Sequence, residues 1–431
     1  MYNLRNYFLF LKIFYLFMFL NNIGCELNVF SIGDWGENTA CFNNITKTMK
    51  SLSKRMNPEF IISAGDNFYP NGVSSVDDDK WDELLENPFS MFQNSLKIHS
   101  CLGDHDWRGN TYSQILRTNH EDNNRWHLPG YWWYEIKTFN VQNGISSLIK
   151  THFIDDIKHN IIQNNSDENK NVETILVDDD LLNYENESID EFIDNLNTAL
   201  NVNNTLGSNL SFKTLISEYL SDNYTSSENV TAIFIYLDSY LLSQDPFKKT
   251  SNSYRELQLE FLEKTLKASV YNNIDWITIV THYSIFSSGY HGPQKNVSKY
   301  LLPFIEKYRV DYIISGHDHH SEFLRYEDIN TNFYIVGATS KPRRGFAKTH
   351  NYSIFKTDSC SFTAFTFSKD IAAASIIGFN SFYSTSFKKS NKYIRKSMKA
   401  EPTEFPDNCS NIKINKLFNI LGWTLSISIY S

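Results

Sequence analysis

The sequence predicts an α/β protein, and two observations carry that prediction. Six strand-like apolar runs each stop on an aspartate or a histidine, and helix-like segments separate several of them. Strands alternating with helices imply a sheet whose functional groups gather beyond the carboxyl ends of the strands. The acids and imidazoles at those ends are therefore expected on one edge.

Taken in order, Leu27 to Ile32 ends at Gly33-Asp34-Trp35-Gly36, and Asn44 to Arg55 follows as a helix. Phe60 to Ala64 opens into Gly65-Asp66-Asn67-Phe68-Tyr69-Pro70, and the weaker run Leu96 to Leu102 into Gly103-Asp104-His105-Asp106. Ala232 to Leu237 stops at Asp238. A second helix, Glu256 to Val270, places Leu257, Phe261, Leu262 and Leu266 at helical spacing. Trp276 to Thr281 stops at His282, and Val310 to Ile314 opens into Ser315-Gly316-His317-Asp318-His319-His320.

Length, at 431 residues, allows one large domain or two ordinary ones. A formal net charge of -9 argues against nucleic acid, which needs a clustered basic surface. The first 25 residues read as a signal peptide: Arg5, an apolar stretch from Tyr7 to Leu20, then Gly24 and Cys25 near the expected cleavage point. An uncleaved anchor is the competing reading, and either one sends the chain into the secretory pathway. Cys41, Cys101, Cys360 and Cys409 then permit two disulfides in three connectivities, with no pairing assigned. Sequons at Asn44, Asn209, Asn296 and Asn351 are legal glycan sites of open occupancy.

Residues 26–385 are expected to form the catalytic domain, with a polar Asn- and Asp-rich insertion over 141–229. Within the insertion, Ser188 and Glu191 form a capping box ahead of a short amphipathic helix. Residues 386–431 are expected to be a basic tail, from Lys388 and Lys389 through Arg395 to Lys399, read as a solvated face rather than a membrane patch. Its apolar end, Leu417 to Tyr430, rises only about 20 Å as a helix, against a hydrocarbon core of roughly 30 Å. Membrane association through this tail stays open, as does the oligomeric state.

Asp34, Asp66, Tyr69, Asp104, His105, His282, His317 and His319 form a mixed oxygen and nitrogen donor set too large for one ion. Two ions about 3.5 to 4 Å apart can clamp both the attacking and the leaving oxygen of a phosphoryl displacement. Asp66, the middle carboxylate, is the expected bridge.

These motifs resemble the calcineurin-like metallophosphoesterases: Asp34, Gly65-Asp66, Gly103-Asp104-His105-Asp106, His282 and Gly316-His317-Asp318-His319 stand in that family's order. Gly33-Asp34-Trp35-Gly36, Tyr69 and His282-Tyr283 resemble its purple, tartrate-resistant type of acid phosphatase. The resemblance implies a four-layer α/β/β/α sandwich and hydrolysis of phosphate monoesters by a metal-bound hydroxide. It implies that Asp34, Tyr69 and His319 hold Fe3+, that Asp66 bridges, and that Asp104, His282 and His317 hold a divalent ion, Fe2+, Zn2+ or Mn2+. His105 and His291 would contact the phosphate and protonate the leaving group. Asp104 departs from the family's Asn and adds a negative charge at the second ion. The alternative is a membrane-associated scaffold, similar to the glideosome-associated, phosphatase-like protein of apicomplexan parasites, whose lineage the Asn-rich composition fits. The scaffold has lost many ligands, so the retained set favours the enzyme, whether secreted, vacuolar or membrane-associated.

Overall fold

The computed structural model describes residues 26–142, 227–244, 249–378, 381–398 and 400–408. The expected signal segment, nearly all of the insertion with its amphipathic helix, and the apolar end lie outside the described residues. Among those described, no helix is long and apolar enough to cross a membrane.

The chain begins with β1 (Leu27–Ile32), α1 (Ala40–Met56), β2 (Phe60–Ser63), β3 (Lys97–Ser100), α2 (Thr111–Arg117), β4 (Trp126–His127) and β5 (Trp133–Gln142). It resumes with β6 (Ser227–Tyr236), α3 (Ser239–Ser243), α4 (Lys249–Tyr271), β7 (Trp276–Val280), α5 (Lys295–Tyr308) and β8 (Tyr312–Ser315). It closes with β9 (Ser321–Tyr326), β10 (Thr331–Val336), β11 (Ser353–Thr357), β12 (Ser361–Phe367), β13 (Ile371–Gly378), β14 (Phe382–Lys388) and α6 (Ser390–Lys396).

The strands form two mixed sheets, ordered β14-β13-β12-β1-β2-β3-β4 and β11-β9-β10-β8-β7-β6-β5. Adjacent strands run parallel from β1 to β4, and again through β6, β7, β8 and β10. Parallel strands covered on both faces read as continuous apolar runs, which is why β2, β7 and β8 are buried along their whole length. Aromatic rings join the sheets: Phe234 of β6 meets Phe60 of β2 at 5.2 Å and Phe367 of β12 at 5.6 Å between centroids. Helices flank the paired sheets, giving the expected four-layer α/β/β/α arrangement.

Thr39 caps α1 by accepting from the Phe42 amide at 3.1 Å, and Asn57 ends the helix in the left-handed region. The buried face of α4 carries Tyr254, Gln258, Leu262, Thr265 and Leu266, whereas Leu257 is exposed. The phase expected for this helix is therefore corrected: Gln258 is the inward residue, and it holds Asp238 N at 2.7 Å and Asp238 O at 3.1 Å.

The folded unit does not stop at 385 as expected. β14 passes through that point, and the basic segment turns inward, with Lys389 and Arg395 buried. The reason is charge: Lys389 Nζ lies 2.7 Å from Asp275 Oδ1, and Arg395 Nη1 lies 3.0 Å from Asp311 Oδ2. Reading this stretch as a solvated face fails for those two residues. A disulfide joins Cys41 of α1 to Cys360 before β12, while Cys101 is a buried free thiol and Cys409 lies outside the described residues.

Candidate metal centre

Left-handed turns at the strand ends aim the donors. Asp34, Asp66 and His317 have φ of 53°, 51° and 67°, a region that side chains adopt only when their surroundings insist. Asp34 is fixed by its own amide, which donates to Gly65 O at 3.1 Å, and by Ser340 Oγ, which donates to its carbonyl at 2.5 Å. Two glycines make room. A Cβ on Gly103 would collide with Asp66 Oδ1, and one on Gly316 would lie 2.5 Å from Asp34 Oδ2.

The seven expected ligands lie together. Tyr69 Oη donates to Asp66 Oδ2 at 2.9 Å and to Asp34 Oδ1 at 3.1 Å, with His319 Nε2 at 3.4 Å. His282 Nε2 is 3.4 Å from Asp66 Oδ1 and 3.3 Å from Asp104 Oδ1, and His317 Nδ1 is 3.2 Å from the same Asp104 oxygen. Two groups of donors result: Asp34, Asp66 and His282 on the buried side, and Asp104, His282 and His317 beside them.

The histidines are oriented from behind. His282 Nδ1 donates to Ala64 O at 2.9 Å, and His319 Nδ1 donates to Lys341 O at 2.8 Å, so both Nε2 atoms face the carboxylates. Burial pushes Asp34 up, and burial with the adjacent Asp34 and Asp66 charges pushes the Tyr69 phenol well up. Burial opposes a charged His282, yet Asp66, Asp104 and Asp34 raise it well above the usual imidazole range. For Asp104 the hydrogen bonds from His282 and His317 outweigh burial and hold it well below the carboxylate range. Carboxylates, phenol and imidazoles facing one point, with the outer nitrogens of His282 and His319 already engaged, are a donor set that fits two cations, one hard and one borderline.

His105 and His291 stand at the mouth. The His105 ring packs edge-on to Tyr69 at 4.5 Å, and its Nδ1 donates to Pro70 O at 2.6 Å, leaving Nε2 unengaged by that bond. The His291 ring lies 4.4 Å from that of His317; burial and His317 lower its basicity, and Arg343 adds to the effect. A cleft of about 680 Å³ opens in front of Tyr69, His105, His291 and His319, walled by Glu37, Lys341 and Arg343.

Sequence reasoning passed over the groups that hold this arrangement. Asp318, the residue between the two expected ligands His317 and His319, is buried and accepts from the His291 amide at 2.8 Å, the Gly292 amide at 3.0 Å and the Ser287 hydroxyl. It pins the His291 loop to the strand end that bears His317 and His319. Glu322 is buried as well, accepting from Ser288 Oγ at 2.6 Å and Ser288 N at 2.9 Å and lying 2.9 Å from His320 Nε2. Asp106 accepts from Asn67, Gly103 and Gln114 beneath Asp66, and burial with the Asp66 charge pushes it up to about 7. The signal for Asp318 was its place inside the histidine motif. Asp106 closes the Gly103-Asp104-His105-Asp106 motif, whereas Glu322 had only its nearness to a strand end.

Residues 27–193 and 183–321 match the family of calcineurin-like phosphoesterases. Purple acid phosphatase 17 of Arabidopsis thaliana is 24% identical over 316 residues, 73% of this chain and 68% of that protein. Glideosome-associated protein 50 of Plasmodium falciparum is 23% identical over 367 residues, 79% of this chain and 71% of that protein. Among solved structures, GAP50, titled the anchor in the inner membrane complex of Plasmodium, has a TM-score of 0.60 at 21% identity. That likeness covers 89% of this chain and 98% of the other. A purple acid phosphatase from yellow lupin seeds has a TM-score of 0.52 at 14% identity, covering 88% of this chain and 57% of the other.

Proposed function

The chain belongs to the calcineurin-like phosphoesterase family, and on that premise we propose that it is a dinuclear-metal acid phosphatase acting on phosphate monoesters. The observation that carries the reading is the convergence of Asp34, Asp66, Tyr69, Asp104, His282, His317 and His319, with His282 and His319 oriented from behind. Asp34, Tyr69 and His319 would hold Fe3+, Asp104, His282 and His317 a divalent ion, and Asp66 both. When bound, such a pair supplies Lewis-acid activation of water and neutralises charge on the phosphoryl oxygens.

The protein's own part is positioning and proton transfer. His105 and His291 would hold the phosphoryl oxygens at the mouth of the cleft and protonate the leaving oxygen. An imidazole lowered by burial and by His317, as His291 is, carries its proton only in acid. That property suits an acid phosphatase. The N-terminal pattern supports delivery to the secretory pathway, with a secreted, vacuolar or membrane-associated end point.

One observation favours a second reading, a membrane-associated scaffold: the likeness to the Plasmodium anchor runs over 98% of that chain. Metal analysis with a phosphomonoester assay separates the two. The phosphatase reading expects two ions per chain, turnover, and a visible absorption band that disappears in Tyr69→Phe. A protein that takes up two ions yet turns over no phosphomonoester, or one that binds none, favours the scaffold.

A further inference from the structure

The phosphoryl-binding donors meet the phosphate and not the group it leaves, so preference among substrates must come from the cleft wall. That wall continues from His319 and His291 along Lys341, Pro342 and Arg343. His319 clasps this segment twice, taking Lys341 O on Nδ1 at 2.8 Å and receiving the Arg343 amide on its carbonyl at 2.7 Å. The rim is thus tied to one of the site's own histidines and keeps its distance from the phosphate position.

Two cations stand on the rim, and they differ. Lys341 Nζ lies 3.2 Å from Glu37 Oε2, so its charge is offset by a carboxylate on the same cleft. Arg343 is in none of the ion pairs among the described residues, and its guanidinium lies 4.0 Å from the centroid of the Tyr290 ring. Tyr290 precedes His291, is 46% exposed, and is flanked by Gly345, where an added Cβ would come within 3.0 Å of the phenol oxygen. Stacking fixes the plane of a guanidinium while leaving its N–H edges free for a planar or tetrahedral anion.

We propose that Arg343, braced on Tyr290, is an anion subsite for the leaving group. The preferred substrates are then phosphate monoesters carrying a second anionic group, carboxylate or phosphate, close to the ester. The inference rests on the phosphatase reading and deepens it. The reaction is ordinary hydrolysis: the oxygen of water bonds to phosphorus, the ester P–O bond breaks, and the alcohol leaves with a proton.

The test uses the metal-loaded full chain at low salt and a matched pair, glycerol 3-phosphate and 3-phosphoglycerate, which differ by one carboxylate. Glycerol 1,3-bisphosphate, which carries a phosphate ester where 3-phosphoglycerate has its carboxylate, supplies the phosphate arm and tells which anion is preferred. The expected result is a kcat/KM for the carboxylate ester about five- to tenfold above that of the neutral one, carried mainly by KM and shrinking as salt is added. Arg343→Ala should bring the ratio close to one, and Arg343→Lys should keep only part of it. Equal kcat/KM across the pair in the unaltered protein, or an equal loss on both esters in Arg343→Ala, overturns the subsite. Absence of turnover on every ester overturns the phosphatase reading instead. Calorimetric binding of the same pair to the metal-loaded protein and to Arg343→Ala then decides the subsite separately, with equal affinities overturning it.

Discussion

Strands β7 and β8 carry buried acid or imidazole groups at both ends, and the two ends treat charge differently. At the amino ends, Asp275 meets Lys389 at 2.7 Å and also Lys392, while Asp311 meets Arg395 at 3.0 Å. Arg395 also donates to the carbonyls of Arg309 at 2.6 Å and Asp275 at 2.8 Å, so its fork is well occupied. At the carboxyl ends, His282 and His317 face Asp66 and Asp104, which follow β2 and β3 of the other sheet, and Arg108 on Asp104, at 2.9 Å, is the only lysine or arginine paired with the expected ligand set among the described residues. A charge that the chain itself neutralises is finished structure. One left to titratable rings is a place made for something else to supply the positive charge.

The sharpest way to break this contrast is to remove one carboxylate from the unmatched end. Tyr69 donates to Asp66 Oδ2 and the His105 amide to Asp66 Oδ1, so Asp66→Asn keeps an acceptor for only one of them and loses the charge that both ions would share. Replacing a group that merely orients a metal ligand costs 10- to 100-fold, so loss of the shared ligand should cost more than about a hundredfold in phosphatase activity. Metal content should fall below two ions per chain while the melting temperature of the metal-free protein changes little. Full metal content with full activity would refute the assignment.

The converse change belongs at the matched end. Arg395→Ala leaves Asp311 buried and unpaired and should cost about 3 to 5 kcal/mol of stability, read as a lower denaturant midpoint. Metal content and activity, measured well below the melting range, should stay as they were. Adding Asp311→Asn should recover much of the loss, because the cost is a stranded charge. If the double variant is no more stable than the single, the cost is lost packing and the contrast between the two ends weakens.

Several of the expected ligands were legible because they follow a largely buried apolar run, so the strand and its terminal acid or imidazole stand out together: Asp34 after β1, Asp66 after β2, His282 after β7. Lys389 and Arg395 were not, because a run of like charges reads as solvated unless its partners are known, and Asp275 and Asp311 lie 114 and 84 residues away. Distance hid the disulfide too, since Cys41 and Cys360 are 319 residues apart. In α4 the hidden feature was a buried glutamine: apolar spacing points to Leu257, whereas the helix turns Gln258 inward to bond the backbone of Asp238. Asp318 was in plain view between His317 and His319, but its partner is the backbone of a loop that no pattern predicts.

The smallest expected effect concerns the one place where the two ends resemble each other. Asp104 carries a charge where the motif it resembles has an amide, and Arg108, half-exposed, pairs with its outer oxygen at 2.9 Å while the inner oxygen faces His282 and His317. The extra charge opposes an incoming phosphate, and the arginine offsets part of that opposition. Asp104→Asn should therefore tighten inhibition by inorganic phosphate only a few-fold, about what an exposed pair contributes. Arg108→Ala should weaken phosphate inhibition by a similar factor when Asp104 is present and have almost no effect when it is combined with Asp104→Asn. Inhibition constants for the four forms, compared at equal metal content, give the coupling between the two residues. If Arg108→Ala acts equally in both backgrounds, the arginine meets phosphate directly instead of screening Asp104.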